Sequence, residues 1–387
     1  MHILLITGTY PMDLIGGAEI QTLILAGGLI ECGYDSTFLA VDTNAESKSR
    51  INNLDVIKIP GRNKVGPVRH KQYLEKAILE SHSDICYIRS FNELMWAIPF
   101  CKNNGFPVIS ICCSIRDVSP FPSRLNPRKL IIDVLSMELF RRFLNFRSMR
   151  LSDEIVCNTN SLREGIKHWY PDKPIRVIYN GHAVPPDEDV HKDYSRRVIW
   201  VNNVKRLKRP EIFIKLASYF PDIEFAMIGR IGDSGRYSNY IRSLIQHGPS
   251  NLKYLGALPF DKVNTEISMS DILFYTSEDV EGFGNSLIQA WMRGVPTISL
   301  NYDPDGIIGR ERIGYCSNNF SQLVNDTKEL IGNPLMLREM GKRARRYAMI
   351  NHDCKHMISQ YDVLFRELHD QKTKESLRLI RSDNVTT

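Results

Sequence analysis

Residues 275–300 read Tyr-Thr-Ser-Glu-Asp-Val-Glu-Gly-Phe-Gly-Asn-Ser-Leu-Ile-Gln-Ala-Trp-Met-Arg-Gly-Val-Pro-Thr-Ile-Ser-Leu. The pattern predicts a strand that ends near Tyr275, a glycine-rich turn, a short helix that stops at Gly294, and a second strand over residues 297–300. Glycines on both sides of Phe283 let the backbone approach a ligand closely, and the N–H groups that open the helix face the same space. The stretch therefore predicts a ligand site beyond the carboxyl end of a strand.

The same alternation of apolar strands and helices extends through the whole chain. Strands are predicted at residues 3–6, 36–41, 56–59, 85–88, 108–112, 155–158 and 177–179, and again at 197–202, 225–229, 252–255, 272–275 and 297–300. A proline-rich acidic linker at 185–189 separates the halves. The last helix is predicted at 355–370, with a frayed polar tail after residue 371. Two doubly wound α/β domains are therefore expected, with ligands beyond the carboxyl ends of their strands.

Composition and charge are typical of a soluble protein of two domains. The 387 residues exceed one ordinary core, and the fractions of hydrophobic (43%) and charged (24%) residues are unremarkable. No run approaches the roughly 18 apolar residues of a membrane span, and the first residues are expected to form a strand rather than a signal peptide. The eight cysteines lack metal-ligand spacing, which predicts reduced thiols in a cytoplasmic protein.

A basic segment lies at residues 124–150. It carries seven basic and two acidic residues, a net charge of +5, among apolar positions at helical spacing. A buried helix with a solvated basic edge explains this pattern. A second interpretation is peripheral contact with anionic lipid, since each basic residue near a membrane surface adds about 1 kcal/mol. That contact would place the protein at the inner face of the cell membrane.

The opening stretch resembles the nucleotide-sugar motif of retaining glycosyltransferases of family 4. The shared positions are Thr276, Ser277, Glu281, Gly282, Phe283, Gly284, Ala290, Gly294 and Pro296, with a polar residue eight positions after the Glu. In that family the first Glu holds the donor sugar and a second Glu holds the ribose. Gln289 stands in the second place here, where it keeps an acceptor and adds donors. Gln289 is therefore a ribose candidate, while Ser286-x-x-Gln289 also fits a capping box at the helix start.

The resemblance implies the GT-B fold, in which two Rossmann-like domains face a cleft and a C-terminal segment packs back on the first domain. The corresponding ranges here are 1–185, 186–350 and 351–387. It implies that a sugar is transferred, with retention at the anomeric carbon, from a nucleoside-diphosphate sugar to a glycan or lipid-linked acceptor in cell-surface polysaccharide assembly. It also implies that the reaction needs neither a metal nor a cofactor and that the protein has no nucleic acid partner. The donor-binding residues it predicts are Gly16, Gly17, Asn203, Arg206, Lys208, Glu281, Gly282, Phe283, Gly284, Asn285 and Gln289. The catalytic candidates are Glu281, Lys208 and Asp117.

Besides Gln289, two positions depart from the family pattern. Lys208 falls on the family's diphosphate-binding Lys, while Asn203 replaces its Arg, and Arg206 could supply that charge because a guanidinium bridges two phosphate oxygens. A solvated basic turn is the plain alternative. The family's His after the strand at 108–112 is absent, which leaves Asp117 and Ser114 as candidates for sugar or acceptor contact. Asp117 also fits a turn cap.

Further candidates rest on position. Gly16 and Gly17 open a helix after the first strand, as in the family's N-terminal glycine loop, and a glycine pair also suits a structural turn. Arg89 and Glu19 are candidates for the cleft. His352 and His356 lie four residues apart, but no third ligand completes a zinc set, which indicates surface histidines.

Two alternative functions remain open. One is a nucleotide-sugar epimerase of the same fold, and the other is a nucleotide-sugar-binding protein without catalysis. The missing Arg, His and second Glu favour the binding protein. An oxidoreductase is disfavoured because neither glycine loop fits the dinucleotide fingerprint.

Overall fold

The computed structural model describes residues 1–11, 16–89, 91–114, 119, 138–190, 194–278 and 282–383. The chain forms two compact units: unit 1 is Met1–Gly181 with Cys354–Thr387, and unit 2 is His182–Asp353. The sequence placed the corresponding boundaries at residues 185 and 350. Two predicted catalytic residues, Glu281 and Asp117, lie outside the described residues, as do residues 124–137 of the basic segment.

Unit 1 is built on an eight-stranded sheet. Its strands are β1 (His2–Thr7), β2 (Asp35–Thr43), β3 (Ser47–Ile51), β4 (Leu54–Pro60), β5 (Ile85–Ile88), β6 (Val108–Cys112), β7 (Glu154–Cys157) and β8 (Ile175–Val177), in the order β3-β4-β2-β1-β5-β6-β7-β8. β3 pairs antiparallel with β4, and the other neighbours pair in parallel. The order reverses between β1 and β5, the position at which open α/β sheets bind ligands.

Helices cover both faces of this sheet. They are α1 (Gly17–Glu31), α2 (Arg62–Val65), α3 (Pro67–Glu80), α4 (Leu94–Asn103), α5 (Glu138–Met149) and α6 (Asn160–Trp169). Strand side chains alternate between two apolar clusters: Leu4 and Ile6 of β1 join one, and Ile3 and Leu5 join the other. Burial on both faces explains the continuous apolar run that predicted β1.

Unit 2 contains a six-stranded parallel sheet. Its strands are β9 (Arg197–Val201), β10 (Glu224–Ile228), β11 (Leu252–Gly256), β12 (Ile272–Tyr275), β13 (Thr297–Ser299) and β14 (Gly314–Cys316), in the order β11-β10-β9-β12-β13-β14. Its helices are α7 (Pro210–Ala217), α8 (Arg236–Gln246), α9 (Phe260–Ser268), α10 (Asn285–Met292), α11 (Ile307–Arg310), α12 (Phe320–Ile331) and α13 (Pro334–Asn351). The strand order reverses between β9 and β12. Each unit thus has the Rossmann-like architecture that the sequence predicts.

The last helix, α14 (Cys354–Asp383), belongs to unit 1, which confirms the expected return to the first domain. Its buried residues Met357, Ile358, Tyr361, Leu364, Phe365 and Leu368 join the apolar cluster that contains α1. A Cβ on Gly28 of α1 would lie 2.1 Å from Ile358 Cδ1, so the glycine allows this close packing. The predicted end of this helix at residue 370 is wrong, because residues 371–383 continue it, and residues 384–387 of the expected frayed tail lie outside the described residues. Neither Gly nor Pro interrupts residues 371–383, so the helix continues.

The predicted strand positions agree closely with the observed ones, with three exceptions. The strand expected at 177–179 lies at Ile175–Val177, and β3 and β14 were not predicted. β3 is exposed along its length and lacks an apolar face, whereas β14 has three residues, one of them Gly314. Neither strand carries the period-two apolar signal on which sequence assignment depends.

Three chemical features complete the description. All eight cysteines are free thiols, and Cys86, Cys101, Cys112 and Cys157 are buried. Within the described ranges, no helix is long and apolar enough to cross a membrane. In the same ranges, no group of three or more His, Cys, Asp or Glu side chains is placed to hold a metal ion.

Candidate functional site

Unpaired polar groups mark the carboxyl edge of the unit 2 sheet where its strand order reverses. Asn202 follows β9, and Ser277 lies two residues after β12. Asn202 Nδ2 and Ser277 Oγ are buried and have no hydrogen-bond partner in the described structure. Buried polar side chains are normally bonded, so each exception needs an explanation. A bound polar ligand at this edge would supply one, and we take it as the candidate site.

A basic turn is fixed to the end of β12. Trp200 Nε1 donates to Thr276 Oγ1 at 2.8 Å, and that hydroxyl donates to the Lys208 carbonyl at 2.6 Å. Arg209 adopts a left-handed backbone (φ 47°) and donates to the carbonyls of Thr276 (2.7 Å) and Ser277 (3.0 Å). Arg209, which the sequence did not single out, therefore uses its guanidinium to hold the turn.

The predicted diphosphate-binding cations lie in that turn, a 3-10 helix over Arg206–Lys208. Lys208 Nζ is 5.7 Å from the centroid of the Tyr275 ring at the end of β12. The guanidinium of exposed Arg206 lies 5.1 Å from the Tyr237 ring and makes no hydrogen bond to the described residues. Asn203 is also exposed. The structure thus brings both cations to the same edge as Asn202 and leaves the donors of Arg206 available.

The glycine turn packs against the same tyrosine. A Cβ on Gly284 would lie 2.7 Å from the Tyr275 hydroxyl and 2.9 Å from its Cε2, so this position requires glycine. The Phe283 side chain is 4% exposed and packs on Trp291 (centroids 5.7 Å apart) and on His352 (4.6 Å). Phe283 therefore anchors the turn through its ring.

His352 is buried, so its assignment to the surface is wrong. It is 1% exposed, and its ring also contacts Tyr347, with centroids 5.6 Å apart. α13 ends at Asn351 and α14 begins at Cys354, so His352 and the exposed His356 do not share a helix face. The turn between the two helices carries His352 under the glycine turn.

His182, which the sequence did not identify as a site residue, supports the start of α10. It is 3% exposed, its ring stacks on Phe260 with centroids 5.9 Å apart, and its side chain is hydrogen-bonded to Asn285. Burial, together with the nearby His352 and Arg293, lowers the pKa of His182 to about 3. The first residue of α10 is therefore held by a neutral imidazole at physiological pH.

Gln289 does not form the predicted capping box. α10 begins at Asn285 with Gly284 as its N-cap, and no side chain bonds to that cap. Gln289 is 6% exposed and donates from Nε2 to Asn264 Oδ1 in α9 at 2.8 Å. Oε1 makes no hydrogen bond to any described residue. This arrangement leaves one acceptor, which suits a ribose hydroxyl.

In unit 1, the predicted glycine pair stands at the start of α1. Gly16 is the N-cap and Gly17 the first helical residue. A Cβ on Gly16 would lie 2.1 Å from Glu19 Oε2, and one on Gly8 would lie 3.0 Å from Glu19 Oε1. The small size of these glycines therefore lets the Glu19 carboxylate fold back over the helix start. Donor contact by Gly16 and Gly17 stays a prediction.

Comparison with known proteins relates both halves of the chain to glycosyltransferases. The model for Glycosyltransferase Family 4 matches residues 15–183, and the model for Glycosyl transferases group 1 matches residues 187–347. No match was found among curated protein sequences.

Solved structures show the same fold. Sucrose-phosphate synthase from Thermosynechococcus elongatus is similar with a TM-score of 0.79 at 15% identity, over 96% of this chain and 100% of that one. HepE from Anabaena in complex with UDP-glucose has a TM-score of 0.69 at 14% identity, over 95% and 100%. WaaG, a glycosyltransferase involved in lipopolysaccharide biosynthesis, has a TM-score of 0.67 at 13% identity, over 93% and 98%. At these identities the likeness establishes the GT-B fold.

Proposed function

This chain belongs to the GT-B glycosyltransferases of family 4, group 1, and on that premise we propose that it moves a sugar from a nucleoside-diphosphate sugar to an acceptor hydroxyl with retention at the anomeric carbon. The observation that carries the proposal is the pair of buried polar atoms without hydrogen-bond partners in the described structure, Asn202 Nδ2 and Ser277 Oγ, beside the turn of Arg206 and Lys208. Cations next to unpaired hydrogen-bonding groups suit a diphosphate.

The proposed step breaks the bond between the anomeric carbon and the diphosphate oxygen. A bond from the acceptor oxygen to the same carbon forms on the face that the diphosphate leaves, and the acceptor proton passes to the departing diphosphate. Lys208 and Arg206 stabilise the charge that develops on the leaving group, since fixed cations act most strongly where charge appears. The step as proposed uses neither a metal nor another cofactor.

The remaining donor contacts are assigned to the glycine turn and α10. Glu281 and the N–H groups of residues 282–285 would hold the sugar hydroxyls, and Gln289 Oε1 would accept from the ribose. Asp117 is the proposed contact on the acceptor side. HepE has been solved with UDP and with UDP-glucose, so UDP is the nucleotide to test first.

The acceptor is proposed to be a glycan or a lipid-linked sugar in cell-surface glycan assembly, as the role of WaaG in lipopolysaccharide biosynthesis suggests. α5, in the described part of the 124–150 segment, exposes Phe140 (55%) and Phe143 (49%) close to Arg141 and Arg142 in sequence. Apolar rings among arginines favour contact with anionic lipid. The proposed location is therefore the cytoplasmic face of the membrane.

The test uses purified protein and a panel of labelled nucleotide sugars, with and without membrane lipid extract. We expect label to pass to lipid or glycan in a reaction that the extract stimulates. Interconversion of the donor without acceptor would instead identify an epimerase. Tight nucleotide binding without turnover would identify a binding protein.

Glu281→Ala is the decisive variant in this assay. We expect it to lower transfer roughly a hundredfold or more, in the range found when one preorganised transition-state contact is removed. Glu339→Ala is the matched control, because Glu339 is exposed on α13 and pairs with Lys342. Both variants should unfold at the wild-type temperature. Full transfer by Glu281→Ala would contradict the assignment of this carboxylate.

A further inference from the structure

Arg89 follows β5 at the point where the strand order of the first sheet reverses. Its backbone N–H donates to the Ile6 carbonyl at 2.8 Å, which continues the parallel pairing of β5 with β1 and sets Thr7 beside Arg89. Since strand side chains alternate, both residues fall on the same face as Leu5 and Tyr87. The two polar side chains thus stand together at the carboxyl edge, where such sheets bind ligands.

The guanidinium of Arg89 has no carboxylate partner among the described residues. Its two hydrogen bonds are long and reach neutral oxygens, from Nη1 to the Tyr87 hydroxyl at 3.4 Å and from Nη2 to Asn180 Oδ1 at 3.2 Å. Nε is buried and unpaired within the described chain. Arginine remains charged in proteins, and a buried charge without a counter-ion lowers stability. Arg89 therefore has no ion-pair partner among the described residues.

Thr7 adds an unpaired hydroxyl to the same edge. Its side chain is fully buried, and Oγ1 has no hydrogen-bond partner in the described ranges. Glu19, the acidic residue at the start of α1, forms no ion pair with Arg89 in the described structure, and its carboxylate lies against Gly8 and Gly16. A cation and a hydroxyl are thus both available on adjacent strands.

We propose that Arg89 and Thr7 form a site in unit 1 that binds the phosphate or carboxylate group of a substrate. A guanidinium can donate two parallel hydrogen bonds to such a group, and the threonine hydroxyl can donate another. The identity of the substrate rests on the proposed function: the group is either the diphosphate of the donor or an acidic group on the acceptor. The chemistry is the same in both cases, so the experiment separates the two sources.

The first measurement is calorimetric titration with inorganic pyrophosphate. Arg89→Met removes the charge and keeps a long side chain, Arg89→Lys keeps the charge, and Arg176→Met is the control, since Arg176 is paired with Glu154 at 3.1 Å and with Glu367. We expect Arg89→Met to bind pyrophosphate at one site fewer per chain than the wild type, or with a Kd raised roughly tenfold or more. Arg89→Lys should bind the same number with lower affinity, and Arg176→Met should bind as the wild type does.

Thermal unfolding without anion separates a binding role from a structural one. A cation that lacks a counter-ion contributes little to folding, so Arg89→Met should unfold at or above the wild-type temperature. Lower stability of Arg89→Met, or pyrophosphate binding that equals the wild type in both the number of sites and the Kd, would overturn the proposal.

Substrate titrations then identify the source of the anion. A rise of roughly tenfold or more in the Kd of UDP for Arg89→Met would assign the anion to the donor. An unchanged Kd with a raised KM for the acceptor and a retained kcat would assign it to the acceptor. No change in either constant would refute a substrate role. If the wild-type protein transfers no sugar but Arg89→Met still impairs pyrophosphate binding, the result would refute the proposed function and leave the anion site in unit 1 supported.

Discussion

At the residue scale, Gln289 offers a specific test of the donor site. Its Nε2 donates a hydrogen bond to Asn264 Oδ1, while Oε1 makes no hydrogen bond within the described structure. We expect Gln289→Ala to weaken UDP binding roughly tenfold, since a neutral hydrogen bond contributes about 0.5–1.5 kcal/mol. Asn264→Ala is the matched control, because it removes the protein partner and keeps Oε1. Calorimetric titration with UDP measures both, and an equal loss in the two variants would mean that the glutamine serves packing alone.

The residues that could be predicted from the sequence are those whose signal is local. Gly284 belongs to a contiguous motif, and Lys208 falls on the diphosphate-binding Lys of the resembled family within a basic run, so neighbouring residues located both. His352 and Arg209 were missed because their contacts, with Phe283 and Thr276, join parts of the chain about 70 residues apart. Such contacts leave no periodic trace in a sequence. The role of Glu281 stays a prediction.

At the element scale, the same distinction separates the strands that were predicted from those that were not. β5, β6 and β12 are apolar runs buried on both faces, and their predicted bounds match the structure. β3 is specified by antiparallel pairing with β4, and its own residues are polar and exposed. Its position depends on a tertiary partner, which propensity does not encode.

The helix α14 provides a prediction about which part of an element carries its stability. Its buried residues lie between Met357 and Leu368. A chain that stops at Asp370 should therefore keep the fold of unit 1, whereas one that stops at Asp353 should lose it. Burial of each of these six large apolar side chains contributes about 1.5–3 kcal/mol. Their sum equals or exceeds the free energy of unfolding of a typical domain. Thermal unfolding by circular dichroism compares the two, and a shorter chain as stable as the longer one would contradict this packing.

At the scale of the whole molecule, the two units contain buried histidines whose pKa values shift in opposite directions. In unit 2, burial lowers the pKa of His182 to about 3. In unit 1, burial would also lower the pKa of His70, but its hydrogen bond from Nε2 to Glu93 at 2.9 Å and the charge of that carboxylate raise it above the ordinary value. Protonation of His182 therefore destabilises the folded state, whereas protonation of His70 stabilises it.

The two histidines should accordingly give opposite pH dependence to folding. The contribution of His182 is present above pH 6.5 and is lost as pH falls towards 3, by up to about 1.4 kcal/mol per pH unit. The contribution of His70 is present below pH 6.5 and is lost as pH rises through its raised pKa. Urea unfolding of wild type, His182→Gln and His70→Gln at several pH values between 5 and 8 measures each contribution as a difference, which cancels the other titrating groups. We expect His182→Gln to reduce the loss of stability in acid and His70→Gln to increase it. Differences of the same sign for both variants would show that Glu93 does not stabilise a protonated His70.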